Sequence, residues 1–242
     1  MLFRRPELFM TANIIALVPA AGTGTRLGDS LPKQYLDLHG KPMIYHALAA
    51  FAAVPRVSRI VVVLSPEDRI WPTFSEQWSR IGPKLYTLPT GGATRSDSVA
   101  NGLAAIEQDT SADGWVMVHD AARPCIRTEL IEQFIDELER DPVGGLLALP
   151  LSDTIKSSDE NLRVEKTLPR EGIWRAQTPQ MFRYAALRQA LAVCPAATDE
   201  SQAIEALGYR PKLVMGDSAN LKVTYAPDLQ LARLLLTIGH RE

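Results

Sequence analysis

Residues 19–35, Pro-Ala-Ala-Gly-Thr-Gly-Thr-Arg-Leu-Gly-Asp-Ser-Leu-Pro-Lys-Gln-Tyr, join a loop of small residues to two cations. Gly22, Gly24 and Gly28 permit positive φ and close backbone approach. Such a loop can turn several N–H groups toward one point and make an anion nest. Arg26 and Lys33 set positive charge beside it. The combination suits a polyphosphate better than a neutral ligand. It is not a P-loop, because the required Gly-Lys-Ser/Thr is missing. Nor is it a dinucleotide loop: the last gap of GxGxxG is one residue too long. No acidic residue closes a second strand roughly 20 positions on. A solvated glycine-rich turn remains the alternative. The apolar run at 14–18 directly before the loop favours a ligand site.

Three further stretches carry polar groups that could do chemistry. Gly91 and Gly92 sit at a strand-to-helix turn, where they open the backbone to a planar ligand edge. Ser98 follows in the first helical turn, within reach of such a ligand; the other reading is a helix simply capped by Thr94. Asp120 ends an apolar run, and open α/β sheets place ligands at the carboxyl ends of their strands. This carboxylate can hold Mg²⁺, directly or through water, or orient a substrate hydroxyl. Arg123 beside it can hold the carboxylate or bind a phosphate, and a purely structural Asp–Arg pair stays open. Alternation around Val223 puts Lys222 and Thr224 on one face of an extended piece. Gln177-Thr178-Pro179-Gln180 reads as a turn into a helix at 184–193. His46 is expected to be a packing or surface histidine, and Thr198-Asp199-Glu200 a structural helix start. No Ser-His or Cys-His constellation suggests a covalent intermediate.

These groups need a scaffold, and the apolar pattern supplies one. Strands are expected at 14–18, 60–64, 85–88, 115–119, 145–150 and 212–215. Helices are expected at 43–53, from 65–68, from 94 to about 108, and at 129–140, 184–193 and 228–238. The continuous β-branched runs suit a parallel sheet covered on both faces, hence a Rossmann-like, three-layer α/β fold. Trp71, Phe74 and Trp78 form a core-facing stripe, and Leu229, Leu231 and Leu235 are expected to pack the last helix. Residues 152–175 are polar and too long for an ordinary connection. They read as a projecting β-hairpin arm, 154–156 returning through 164–168. A two-stranded arm is marginal alone. A second copy of the chain is its simplest partner, giving a homodimer by arm exchange; a flexible surface loop is the other reading.

Composition narrows the class. A chain of 242 residues with 46% hydrophobic and 22% charged residues fits one large domain, here 13–242, after a frayed extension at 1–12. The net charge of −2 argues against nucleic acid. Cys125 and Cys194 match no zinc or disulfide framework and point to a reducing cytoplasm. No apolar run reaches the ~18 residues of a membrane span, and the N-terminus lacks the pattern of a signal peptide.

Pro19-Ala20-Ala21-Gly22 followed by Gly24, Arg26 and Lys33 resembles the signature of nucleotidyltransferases that activate sugar phosphates. Pro32-Lys33-Gln34-Tyr35 and Asp120-Ala121-Ala122-Arg123-Pro124 narrow it. Together they resemble the 2-C-methyl-D-erythritol 4-phosphate cytidylyltransferase family of non-mevalonate isoprenoid synthesis, over nearly the whole chain. The resemblance implies transfer of CMP from CTP to methylerythritol phosphate, with Mg²⁺, by direct in-line attack. It implies triphosphate binding by Pro19, Ala20, Ala21, Gly22, Thr23 and Gly24, and contacts to the cytosine nucleotide from Gly91, Gly92, Arg95 and Ser98. Arg26, Lys33, Arg170 and Lys222 would be the catalytic cations. Asp120, Arg123, Thr154, Arg170, Thr178 and Lys222 would face the sugar phosphate, with Thr154 and Arg170 reaching across a subunit interface. A cytidylyltransferase for another polyol phosphate, such as ribitol 5-phosphate, shares the loop. A nucleotide-sensing module without turnover is the alternative of another class.

Overall fold

The computed structural model describes residues 14–22 and 31–238. The expected frayed extension at 1–12, and Thr23, Gly24, Arg26 and Gly28, lie outside the described residues.

The chain runs from β1 (Ile14–Pro19) through a short antiparallel pair, β2 (Asp37–Leu38) and β3 (Lys41–Pro42), into α1 (Met43–Ala53). Then come β4 (Val57–Val63), α2 (Ser75–Ile81), β5 (Leu85–Leu88), α3 (Arg95–Ala105), β6 (Trp115–Val118) and α4 (Thr128–Leu138). β7 (Gly144–Pro150) leads into the hairpin of β8 (Ile155–Ser158) and β9 (Val164–Leu168), and β10 (Trp174–Arg183) returns. The chain ends with α5 (Tyr184–Val193), α6 (Glu200–Ala206), β11 (Lys212–Met215) and α7 (Ala226–Ile238).

Seven strands form one sheet in the order β11-β7-β10-β6-β1-β4-β5. Every pairing in it is parallel except those of β10, which runs antiparallel to both β6 and β7. Strand alternation splits β1 between two cores: Ile14, Ala16 and Val18 face one side, Ile15 and Leu17 the other. The first core receives Ile44, Leu48 and Phe51 of α1, Trp78 of α2 and Phe134 of α4. The second receives Val99 and Leu103 of α3, Leu187 of α5 and Ile204 of α6. The result is the three-layer α/β arrangement that the apolar pattern requires.

Three local expectations change. Residues 177–180 belong to a ten-residue strand, not a turn. Buried Gln177, Thr178 and Gln180 imitate a loop by polarity, but each has a partner beyond the strand: the Asp217 carbonyl, His119 and Asp199 respectively. Pro179 cannot donate to the ladder, and the register breaks between Ala176 and Gln180. After β4 there is no helix at 65–68. Asp68 instead accepts from the N–H groups of Ile70 and Trp71, and the chain enters a 3₁₀ turn (Trp71–Phe74) before α2. The aromatic stripe is core, with Trp71 and Trp78 stacked at 4.0 Å. On α7, Leu229 and Leu235 face the protein around buried Ala232, whereas Leu231 turns outward, 48% exposed.

At Gly144, β7 leaves no room for a side chain beside β10. Its φ is +103°, and an added Cβ would lie 2.2 Å from the Met181 carbonyl oxygen. Gly144→Ala should therefore cost at least about 2 kcal/mol, read as a lower urea midpoint with unchanged slope.

Candidate active site

At the carboxyl ends of β1 and β6 the sheet opens into a cavity of about 430 Å³. One wall is the segment that leaves β1, Pro19 to Gly22. Lys33 lines it from the 3₁₀ turn Lys33–Tyr35. Gly92, Arg95 and Ser98 enter from the start of α3. Asp120 follows β6, and Lys222 closes the site from the segment before α7. Groups separated by two hundred positions in sequence thus share one concavity, because parallel strands end on the same edge.

Asp120 is its electrostatic centre. One carboxylate oxygen accepts from Arg95 Nε at 2.7 Å, and the other lies 2.8 Å from Lys222 Nζ. Burial alone would raise this carboxyl, but Arg95 and then Lys222 outweigh it and hold it well below the usual carboxylate range. Arg95 is fixed from behind by Glu200, at 2.6 and 3.0 Å to its two terminal nitrogens. Glu200 is only 1% exposed. Burial opposes the Arg95 charge, but Glu200 and Asp120 more than restore it. Thr198-Asp199-Glu200 does start α6, with Asp199 accepting from Gln202 N–H as the cap. The acidic residue next to the cap turns inward and becomes part of the site. No spacing signal in the sequence distinguishes those two carboxylates.

Behind Asp120 lies a buried polar network. The Asp120 N–H donates to Thr178 Oγ1 at 3.0 Å, and that hydroxyl is 3.1 Å from His119 Nδ1. His119 Nε2 is 3.1 Å from the Arg123 carbonyl, which can only accept. Nε2 therefore carries the hydrogen, and Nδ1 accepts from the Thr178 hydroxyl. Burial pushes the His119 pKa down to about 4. The Arg123 guanidinium donates to the Asn220 carbonyl at 2.8 Å, and its Nε is 4.0 Å from the Asp120 carboxylate. Thr178 and Arg123 thus stand behind the cavity wall, where they brace Asp120 and the segment bearing Lys222. Asn220, fully buried, donates to the Thr178 carbonyl, and Gln177 donates to the carbonyls of Asp217 and Asn220.

The two glycines of the second loop are used for close approach. A Cβ on Gly91 would lie 2.2 Å from Ala21 Cβ, and one on Gly92 would lie 2.3 Å from Asp97 Cβ. Gly91 N–H donates to the Leu64 carbonyl and Gly92 N–H to Ser98 Oγ. Ser98 in turn donates to the Thr94 carbonyl, and Thr94 caps α3 in a capping box with Asp97. The Ser98 hydroxyl shapes the loop.

Thr154 and Arg170 are exposed, at the base of the β8–β9 hairpin, and do not line the cavity. Arg170 donates to the Ser152 carbonyl across that base. His46 is buried with Nε2 2.9 Å from the Leu38 carbonyl, a packing residue as expected. Among the described residues no group of three or more His, Cys, Asp or Glu side chains is placed to hold a metal, and no helix is long and apolar enough to cross a membrane.

A mainly parallel sheet with a small-residue loop after β1, cations around it and a carboxylate after β6 defines a nucleotidyltransferase. The profile of the IspD family, 2-C-methyl-D-erythritol 4-phosphate cytidylyltransferase, matches residues 14–238. A protein of that description from Dechloromonas aromatica is 55% identical over 221 residues, 91% of this chain and 96% of the relative. One from Nitrosospira multiformis is 56% identical over 228 residues, 93% and 97% of the two chains. Among solved structures, a 4-diphosphocytidyl-2C-methyl-D-erythritol synthase superposes with a TM-score of 0.81 at 37% identity, covering 93% of this chain and 99% of its own. The Francisella tularensis 2-C-methyl-D-erythritol 4-phosphate cytidylyltransferase gives 0.78 at 33%, covering 93% and 100%. The chain belongs to the 2-C-methyl-D-erythritol 4-phosphate cytidylyltransferase family.

The buried network fixes how stability responds to acid. His119 has a folded pKa of about 4 against about 6.5 unfolded. The unfolded chain therefore takes up this proton first, and stability falls between pH 6.5 and 4 by up to ~1.4 kcal/mol per unit. Asp120, held low when folded, adds its own loss only as pH drops below about 4. Urea denaturation across pH 7 to 3 should show both stages, and His119→Asn should flatten the upper one.

Proposed function

We infer that the cavity performs the family's reaction with its own side chains in stated roles. CMP passes from CTP to 2-C-methyl-D-erythritol 4-phosphate, giving 4-diphosphocytidyl-2-C-methyl-D-erythritol and pyrophosphate. An oxygen of the substrate phosphate attacks the α-phosphorus of CTP in line. That P–O bond forms as the bond to pyrophosphate breaks. A phosphate dianion needs no strong base to attack, so the barrier is the approach of one anion to another. Positioning and charge neutralisation must lower it.

The observation that carries this reading is the meeting of Lys33, Lys222 and the Arg95–Asp120 pair opposite residues 19–22 in one cavity. Residues 19–24 with Arg26 hold the triphosphate. Lys33 offsets charge on the α-phosphate and leaving group, and Lys222 receives the attacking phosphate. Gly91 and Gly92 have committed their N–H groups to Leu64 and Ser98. Gly92 lines the cavity and Gly91 stands behind it, so what the pair offers a base edge is the Gly92 carbonyl oxygen, an acceptor suited to the exocyclic amine of cytosine and unsuited to the carbonyl of uracil. Asp120 gives each neighbouring cation one bond, which leaves further lone pairs on its oxygens. A lone carboxylate fits Mg²⁺ carried mainly by substrate phosphates. The ion, when bound, adds charge neutralisation.

The sugar-phosphate side draws on a second copy of the chain. Thr154 and Arg170 are exposed on an arm that also presents Leu162 and Val164, 88% and 66% exposed. Such a hairpin calls for a partner surface, and a homodimer that exchanges arms supplies one in the cytoplasm.

Pyrophosphate release should require CTP and methylerythritol phosphate together, and fail with UTP or with ribitol 5-phosphate. Lys33→Ala and Lys222→Ala should each lower kcat about 10²-fold or more. Arg170→Ala should act mainly on the sugar-phosphate KM. Assayed far below the raised sugar-phosphate KM of Arg170→Ala, mixed and re-equilibrated Lys33→Ala and Arg170→Ala dimers should regain about a quarter of wild-type activity, since exchange leaves one site intact in each heterodimer. Equal release with ribitol 5-phosphate would move the substrate assignment, and no complementation would exclude arm exchange.

A further inference from the structure

Gln34 is 5% exposed, lies between Lys33 and Tyr35, and lines the cavity. Its side-chain amide donates to the Ala20 carbonyl at 2.8 Å and to the Gly22 carbonyl at 3.2 Å. Both hydrogens of the NH₂ group are therefore spent on the segment that leaves β1. The turn that delivers the amide is itself pinned. Tyr35 N–H donates to the Pro32 carbonyl at 2.9 Å, and the Tyr35 hydroxyl donates to Asp68. The Tyr35 ring stacks on Phe74 with centroids 5.9 Å apart.

A peptide is a plane with its C=O and N–H on opposite sides. Drawing the Ala20 oxygen to Gln34 sends the Ala21 N–H the other way. Ala20 N–H is already used by the Val63 carbonyl at 2.8 Å. An unheld carbonyl in this wall would be free to present its negative end to a polyphosphate.

We propose that Gln34 is a positioning residue for the nucleotide triphosphate: its amide holds the carbonyl oxygens of Ala20 and Gly22 so that the loop keeps its N–H groups for phosphate. The inference rests on the polyphosphate reading of residues 19–24. It acts through backbone orientation, and Gln34 itself need not touch the nucleotide. Methionine has the same length and shape without donors. Glutamate can donate only when protonated, and burial against two carbonyl oxygens raises its pKa.

The test is calorimetric binding of CTP and of CMP, without the second substrate, to the full-length wild type and to Gln34→Met and Gln34→Glu. Gln34→Met should weaken CTP at least about tenfold and CMP less than about threefold, with the sugar-phosphate KM unchanged. Gln34→Glu should recover CTP affinity as pH falls from 8 to 6, relative to wild type at each pH. This second variant decides the matter if the first fails to fold. Equal losses for CTP and CMP, no loss for either, or a deficit in Gln34→Glu that ignores pH would overturn the proposal. Wild type that binds CTP yet releases no pyrophosphate would refute the proposed reaction and leave the Gln34 comparison decisive. Wild type that does not bind CTP would remove both.

Discussion

Everything at the cavity depends on keeping Asp120 ionised where water is nearly excluded. A buried carboxylate is costly unless paired and hydrogen-bonded. Asp120 meets that condition with Arg95 and Lys222, and Arg95 meets its own through Glu200. Two carboxylates and two cations form a chain from α6 through α3 and the end of β6 to the segment before α7. Losing Arg95 would leave the buried Glu200 without its cation, so the links tie four separate stretches together. Lys222 is the loosest member, with a side chain 44% exposed against 9% for Asp120. That exposure suits its proposed role of receiving a phosphate, while Arg95 also bonds the carboxylate.

The antiparallel strand gives this arrangement its second side. β6 and β7 run in the same direction, so both end at the edge where the cavity opens. The chain leaves β7 at that edge, makes the β8–β9 hairpin, and comes back down β10 between β7 and β6. An arm inserted there must start beside the site. The polar stretch of β10, Gln177 to Gln180, then lies next to His119 and Asp120. It braces them through Thr178, while Gln177 and Asn220 hold the Lys222 segment. One strand reversal therefore places the arm and supports the carboxylate.

Much of this was legible in the sequence, for identifiable reasons. The β-branched runs of β1 and β4 and the helical spacing of Ile44, Leu48 and Phe51 report burial directly. The small-residue loop after β1 and the acid after β6 report the edge of a parallel sheet. What escaped was decided by partners distant in sequence. β10 reads as a turn because its buried residues are polar, and bonds to distant partners such as Asp217, His119 and Asp199 make burial tolerable. Glu200 carries the local signal of a helix start, yet its role is set by Arg95, 105 positions away. Gln34 stands in the motif as spelling alone until the carbonyls of Ala20 and Gly22 are seen against it. The expected roles of Thr154 and Arg170 call on a second chain, which no intrachain pattern encodes.

The two loops proposed to bind the nucleotide are also tied to each other, which bears on how base and phosphates would be read together. Gly91 packs against Ala21 so closely that no side chain fits between them. The loop proposed to face cytosine therefore rests on the loop proposed to hold the triphosphate. A displacement of residues 19–22 must move Gly91 as well, and Ser98 carries that movement into the first turn of α3, where Arg95 begins. The loops proposed for base and phosphates and the Asp120 network thus share one close contact, Gly91 against the Ala21 side chain. This favours reading the correct nucleotide as a whole, since a base that seats poorly also misplaces the α-phosphorus on which the attack depends.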